Sequence, residues 1–332
     1  MRTSLSTRCA AGLVMVIAVA VVAPSATEFT LNAPVLASHS RIQPHRDTDG
    51  TLKRGPRNEM KTSNWSGYEV ADFQTNNTIY TQAQATWTVD TVSYQTPPPT
   101  CHVYRFGRHS YKICSSSQPQ WEYSSSWVGI GGYCEDSLCS TVDNTLIQLG
   151  TEHDASLFGT TEYYAWIEML PNAPIVISMT DPNCTSLSCA APVQPGDVIT
   201  ASLQCTSINC THPDGHPQTW LLEMSNPRWG AWSFSTSVTY ASTLASAEWI
   251  EEAPSSQAGV LPLANYVTAS FAPTVNFGAT PNFDTSAANI NAIQLVDPYG
   301  ETSNPSPPGT ADDFNTCWGN DPSTFTTCTK PQ

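Results

Sequence analysis

Between Ser63 and about Asp297 the chain alternates apolar and polar residues with a period of two, the pattern of strands with one buried face. Ten stretches carry it together with β-branched and aromatic residues: 78–89, 144–152, 161–170, 173–180, 197–205, 219–226, 232–240, 246–253, 266–277 and 290–297. Turn signals separate them, among them Pro171-Asn172, Pro195-Gly196, Asn226-Pro227 and Pro298-Tyr299-Gly300. No stretch sustains a 3.6-residue period with helix caps. The pattern predicts an all-β unit, a sandwich or a barrel.

Outside that unit the pattern changes. Residues 1–26 have Arg2 and Arg8, then an apolar run from Ala10 to Val22 and small residues at Ala23, Ser25 and Ala26. This is the layout of a secretory signal, too short for a membrane span. Residues 27–62 are polar, basic and aperiodic, and read as a propeptide. Residues 63–300 form the β unit. Two segments stand apart from it. One is 96–120, which carries Arg105, Arg108 and Lys112 in a loop closed by cysteines. The other is 301–332, a Pro/Gly/Asp-rich C-terminal extension with one cysteine pair.

Charge sharpens the division. Residues 1–62 hold eight of thirteen Lys and Arg but only four of twenty-eight Asp and Glu. From Ser63 onward, 5 basic residues face 24 acidic ones, a formal net of −19. A basic segment ahead of an acidic body is expected to be held by opposite charge at neutral pH and loosened as carboxylates protonate. So acidic a body repels itself at pH 7 and suits an acidic environment. It also lacks the basic clusters that nucleic acid requires. Ten of the eleven cysteines follow the signal, in close sequence pairs: Cys101 and Cys114, Cys134 and Cys139, Cys184 and Cys189, Cys205 and Cys210, Cys317 and Cys328. In an exported chain these read as disulfides, drawn here between neighbours, although spacing alone does not fix connectivity. The expectation is a secreted, soluble monomer without a membrane anchor in its mature form.

Metal chemistry is weakly supported. HExxH is absent, and His102, His109 and His153 are scattered. His212 and His216 are four apart, but Pro213, Gly215 and Pro217 bar a helix between them. A GxSxG elbow is also absent. Carboxylate chemistry remains, and no cofactor is called for. One stretch concentrates it: SAEWIEEAP, 246–254, places three glutamates in five positions of a chain that is only 12% charged. As a strand it would put Glu248, Ile250 and Glu252 on one face. Glu251 would lie on the other, toward solvent or a second sheet. Composition leaves an acid peptidase, a β-sandwich glycoside hydrolase and a carbohydrate-binding lectin all open.

Eight motifs in order narrow that choice. SNWSGYEV (63–70), TWTV (86–89), SSSWVGIGGY (124–133), NTLIQLGTE (144–152), YYAWIEMLP (163–171), QPGDVITASL (194–203), SAEWIEEAP (246–254) and LPLANY (261–266) together resemble the glutamic peptidases, or eqolisins. The resemblance implies a two-sheet antiparallel β-sandwich of the concanavalin A-like, jelly-roll type. It implies a secreted acid endopeptidase, made with its own propeptide and self-processed at low pH, whose partners are protein and peptide substrates. The family's catalytic Gln falls at Gln148 and its Glu at Glu252, expected on facing stretches of sheet. Glu248 shares the face of Glu252, and only the motif separates the two. Trp127, Trp166 and Glu168 match positions lining the substrate cleft. In the implied mechanism Glu252, near its ordinary pKa, takes a proton from a water shared with Gln148. The water attacks the carbonyl, the Gln148 amide supports the oxyanion, and Glu252 protonates the leaving nitrogen. Two departures stand out: Gly131 replaces an Asp of the family's WVGIDG, and Leu170 stands where a cleft Tyr is expected.

Overall fold

A computed structural model describes residues 33–71, 78–95, 100–106, 109–115, 119–179, 191–211, 216–273, 290–309, 312–320 and 327–331. The signal, Cys184, Cys189 and His212 lie outside the described residues. From Ala33 to Gln332 the chain forms one unit.

The strands in chain order are β1 (Met60–Thr62), β2 (Trp65–Ala71), β3 (Gln82–Thr88), β4 (Thr100–Phe106), β5 (His109–Ser115), β6 (Trp121–Gly131) and β7 (Leu146–Ser156). They continue with β8 (Thr161–Met169), β9 (Ile175–Val176), β10 (Val198–Cys205), β11 (Gln218–Ser225), β12 (Phe234–Tyr240) and β13 (Ser246–Glu252). The last are β14 (Ser255–Ser256), β15 (Gly259–Val260), β16 (Thr268–Pro273), β17 (Ile290–Val296), β18 (Thr302–Pro305) and β19 (Phe314–Gly319). One 15-stranded sheet runs β12-β11-β10-β3-β16-β19-β18-β17-β2-β13-β6-β7-β8-β9, with β1 parallel to β17 and the other pairs antiparallel. It folds on itself, so that β3 and β10 pack against β6 and β7, and β16 against β13. The result is the two-layered antiparallel sandwich that the resemblance implies.

The back layer shows why alternation was so readable. Ala83, Ala85 and Trp87 of β3, Ile199, Ala201 and Leu203 of β10, and Trp220, Leu222 and Met224 of β11 point inward, while their neighbours are partly or fully exposed. The inward set of the front layer, including Val128, Ile130, Ile147, Leu149, Ala247 and Trp249, meets them in the main core. Yet β2, β6, β7 and β13 are buried at every position. Their second face is covered by residues of the N-terminal segment, around a smaller cluster that includes Ile42, Trp65, Trp127, Tyr133 and Trp166.

That segment is not a loose linker. His45 N–H donates to Lys61 O at 2.8 Å and Ser63 N–H to Gln43 O at 2.8 Å. Bridges at Arg46–Leu52 and Arg54–Met60 fold its middle back on itself, and β1 joins the main sheet beside β17. Among the described residues Lys53 pairs with Asp47 and Arg57 with Glu59, both within the segment. Its contacts with the body combine backbone hydrogen bonds with side chains: Arg41 donates to Asn144 Oδ1, Arg46 to Cys139 O and Arg57 to Pro305 O, and His45 Nε2 lies 3.0 Å from Val296 O.

Two segments set apart in the sequence also take regular form. Strands β4 and β5 pair as a separate two-stranded sheet in which Cys101 and Cys114 are directly opposed in register; their side chains lie outside the described ones. The C-terminal segment 301–332 contributes β18 and β19 to the middle of the main sheet, and Cys317–Cys328 ties its end back. Its short strands, four and six residues, sit between Pro- and Asp-rich turns that mask the alternation. Cys134–Cys139 and Cys205–Cys210 are also bonded as neighbours.

Candidate active site

The outer face of β2, β13, β6, β7 and β8 carries three rows of side chains at strand spacing. Trp65, Glu252, Ser125, Glu152 and Tyr164 form one row. Gly67, Ile250, Trp127, Gly150 and Trp166 form the next. Glu69, Glu248, Gly129, Gln148 and Glu168 form the third. Gln148 and Glu252 thus lie on the same face of one layer, two strands apart, rather than on facing stretches. Glycine makes the middle row possible. A Cβ on Gly150 would lie 2.5 Å from Trp127 Cβ and 2.9 Å from Trp166 Cζ2, so only glycine lets both indoles lie close over β7.

Residues 38–40 of the N-terminal segment run through this face. Ser38 and Ser255 exchange backbone hydrogen bonds of 2.9 and 2.7 Å, an added strand in miniature. Glu168 accepts from Ser38 Oγ at 2.7 Å and from His39 N–H at 2.8 Å. Gln148 Nε2 donates to His39 O at 2.9 Å, and Ser40 N–H donates to Glu252 Oε1 at 3.1 Å. The two expected catalytic side chains therefore hold opposite ends of one peptide bond. Trp127 Nε1 donates to Glu252 Oε2 at 2.8 Å. Trp166 stacks on the His39 ring at 3.5 Å and 7°, and its Nε1 donates to Ser125 Oγ at 3.1 Å. All five site residues expected from sequence meet this stretch of chain or each other.

Burial governs the charges. It pushes the Glu252 carboxyl well above the ordinary range, with the nearby Glu168 adding to the rise and Trp127 N–H, Ser40 N–H and Asn64 opposing it. It pushes Glu168 up to about 8, against hydrogen bonds from Ser38, His39 N–H and Gln148. Glu152 is raised well above its usual value by burial and then by Asp154. His39 Nδ1 lies 3.3 Å from Glu252 Oε2 and its Nε2 lies 3.5 Å from Glu152 Oε2, the geometry of an ion pair. Burial nevertheless lowers the His39 pKa well below its ordinary value. The same desolvation acts on both partners and favours the neutral imidazole and neutral carboxyls over a charged pair. This differs from the near-ordinary Glu252 expected from sequence, because that expectation took no account of a covering segment.

The remaining acids of SAEWIEEAP separate clearly. Glu251 is buried rather than facing solvent; it points between the layers, accepts from Ser126 Oγ at 2.5 Å and is raised to about 8 by burial. Glu248 shares the outer face but lies four residues along β13 from Glu252, about 13 Å at strand rise. It is buried near Glu69 and Asp143, which with desolvation raise its pKa. Contact with residues 38–40 belongs to Glu252.

Sequence reasoning missed four contributors. Asn64 accepts from Gln43 N–H at 2.9 Å and donates to Arg41 O at 3.0 Å, so it anchors the chain just after the held bond. Glu152, Ser255 and His39 were also missed. Asn64 stood inside the quoted SNWSG motif, and Glu152 two strand positions beyond Gly150 on the face of Gln148. Ser255 and His39 carried no signal, because their roles depend on a contact across more than two hundred residues. Of the departures, Gly131 has a physical reason: φ is +91°, and a Cβ would lie 2.5 Å from Thr145 O. Leu170 is partly buried beside the smaller cluster. Among the described residues no group of His, Cys, Asp and Glu is arranged to hold a metal.

The Peptidase A4 family matches residues 63–304, the strands that carry this site among them. The chain belongs to the Peptidase A4 family. It is a peptidase of the glutamic type, and proteins are its substrates. No curated protein matches its sequence. Among solved structures it is similar to aspergilloglutamic peptidase from Aspergillus niger, with 20% identity and a TM-score of 0.43 over 60% of this chain and 99% of that one. The match to the family begins at Ser63, so the segment that occupies the peptidase's outer face lies ahead of it.

Proposed function

We propose that the protein is a secreted, monomeric acid endopeptidase that hydrolyses peptide bonds with Gln148 and Glu252 and processes itself from a precursor at low pH. The observation that carries the reading is the grip of these two side chains on the carbonyl and amide of a single peptide bond. Export is supported by the signal-like residues 1–26 and by three disulfides.

Each group has a defined task. Where water enters beside the held bond, the Glu252 pKa falls back toward the ordinary carboxylate range. The ionised Glu252 then takes a proton from a water that also donates to Gln148 Oε1, an oxygen that accepts no hydrogen bond from the described residues. Attack on the carbonyl carbon places negative charge on an oxygen that Gln148 Nε2 already faces, an interaction worth roughly 3 kcal/mol in such sites. Glu252 returns the proton to the leaving nitrogen. Trp127 N–H fixes the second Glu252 oxygen, so that Oε1 faces the reacting bond. Gln148 never ionises, so it serves as donor and acceptor throughout the acid range.

Digestion of casein or haemoglobin between pH 2 and 5 tests the dyad. Glu252→Gln and Gln148→Ala are each expected to lose at least about 10²-fold in kcat, the scale of losing a general base or an oxyanion donor. Full activity in either variant would sink the assignment.

A further inference from the structure

We infer that the peptidase holds its own His39–Ser40 bond as its first substrate, and that the slot around the His39 ring is its S1 subsite, shaped for a flat side chain. The inference rests on the Gln148/Glu252 reading above. It adds the bond that is cut first and the side chain that the site selects.

The contacts are those a productive substrate makes. The His39 carbonyl oxygen sits 2.9 Å from Gln148 Nε2, the donor assigned to the oxyanion. The Ser40 nitrogen sits 3.1 Å from Glu252 Oε1, the oxygen assigned to proton delivery. Flanking contacts fix the register on both sides of that bond. Before it, Ser38 pairs with the Ser255 backbone, while its hydroxyl and the His39 N–H both reach Glu168. After it, Asn64 Nδ2 holds the Arg41 carbonyl, and Ile42 N–H donates to Gly132 O at 3.1 Å. A strap that only blocked the face would have no need to align one bond with both working groups.

The His39 ring defines the slot. Trp166 lies parallel to it at 3.5 Å and 7°, and Glu152 and Glu252 flank its two nitrogens. A planar ring fills such a slot by stacking. A branched aliphatic side chain cannot lie flat on the Trp166 face as the His39 ring does, and glycine leaves that face empty. The chemistry is hydrolysis: one water adds, a C–O bond forms at the His39 carbonyl carbon, and the C–N bond to Ser40 breaks. The water's first proton passes through Glu252 to the Ser40 nitrogen. The products end in a His39 carboxyl group and a Ser40 amine. Residues 40–62 stay attached through Asn64 and β1, so later cuts are needed to free the body from them.

Two assays decide the matter. The purified full-length chain is shifted from pH 7 to pH 3.5, and fragments are followed by intact mass and N-terminal sequencing. The first new N-terminus is expected at Ser40, at a rate independent of protein concentration over a hundredfold range. Fully processed enzyme is then given the peptide VLASHSRI, residues 35–42, and the same peptide with His replaced by Phe, Gly or Val. Cleavage is expected between His and Ser, with Phe retained within about threefold and Gly and Val losing at least tenfold in kcat/KM. A first cut elsewhere, or a peptide that inhibits without being cut, overturns the inference while leaving casein digestion, and hence the dyad, intact. Casein digestion that survives Glu252→Gln removes the dyad itself, whatever bond is cut first.

Discussion

At the residue scale, one hydrogen bond tunes the catalytic acid. Trp127 Nε1 donates to Glu252 Oε2 at 2.8 Å and so favours the ionised carboxylate. Phenylalanine keeps an aromatic ring beside Trp65, which lies 5.0 Å away edge-on. It removes the donor together with part of the indole, and the pH profile separates the two effects. A hydrogen bond to a charged group contributes about 1.5–3 kcal/mol, so the processed Trp127→Phe enzyme is expected to lose about tenfold or more in kcat/KM at pH 3.5. The sign of the accompanying shift is fixed. Losing a donor to the charged form raises the Glu252 pKa, so the acid limb of the pH profile moves upward. A profile from pH 2 to 6 checks both effects. An unchanged acid limb with lower kcat would mean that Trp127 acts only through packing.

At the element scale, β6 and β7 must approach closely enough for two indoles to share one surface. Gly150→Ala places a Cβ 2.5 Å from both Ser126 O and Trp127 Cβ, and backbone cannot yield as a flexible side-chain tip could. The variant is expected to lose about 1–3 kcal/mol of stability, measured by urea unfolding of the Glu252→Gln protein to avoid self-digestion. No loss would show that the two strands can separate without cost. The same elements mark what the sequence could reveal. Strands β3, β10 and β11 were legible because one face is core and the other wet. Strand β6 was not, since Ser124, Ser125, Ser126 and two glycines dilute its alternation. It surfaced only through the SSSWVGIGGY motif. The site residues Gln148, Glu252, Trp127, Trp166 and Glu168 were reachable through motif resemblance, whereas their convergence on residues 38–40 was not. No local pattern in HSRIQPHRD encodes a contact with strands more than a hundred positions away. The β18 and β19 strands were hidden for a related reason: they are short, and the sheet around them supplies the order that their own sequence lacks.

At the scale of the whole molecule, the buried carboxyls set how stability depends on pH. Burial raises Glu122, Glu168 and Glu251 to about 8 and Asp297 to about 6, and it raises Glu69, Glu152, Asp154, Glu248 and Glu252 well above their ordinary values. A carboxyl whose pKa is higher folded than unfolded contributes stability that is complete below its unfolded pKa, near 4. That stability drains away as pH rises through the folded value. Three of the described histidines act on the other side. Burial lowers His153 to about 3, His39 well below 6.5 and His45 below 6.5, so their contribution is complete above 6.5 and is lost as pH falls toward the folded values. The carboxyls outnumber the histidines, and the formal net charge of −15 at pH 7 adds repulsion in the same direction as the carboxyls. The uncut Glu252→Gln protein should therefore melt highest near pH 4, fall gently below it, and lose at least about 10 °C between pH 4 and 8. Calorimetric scans across pH 2.5–8 read the curve directly. A melting temperature flat or rising from pH 4 to 8 would mean that these carboxyls ionise inside the fold without penalty. The covered, acid-stable face described above could not then be the resting form.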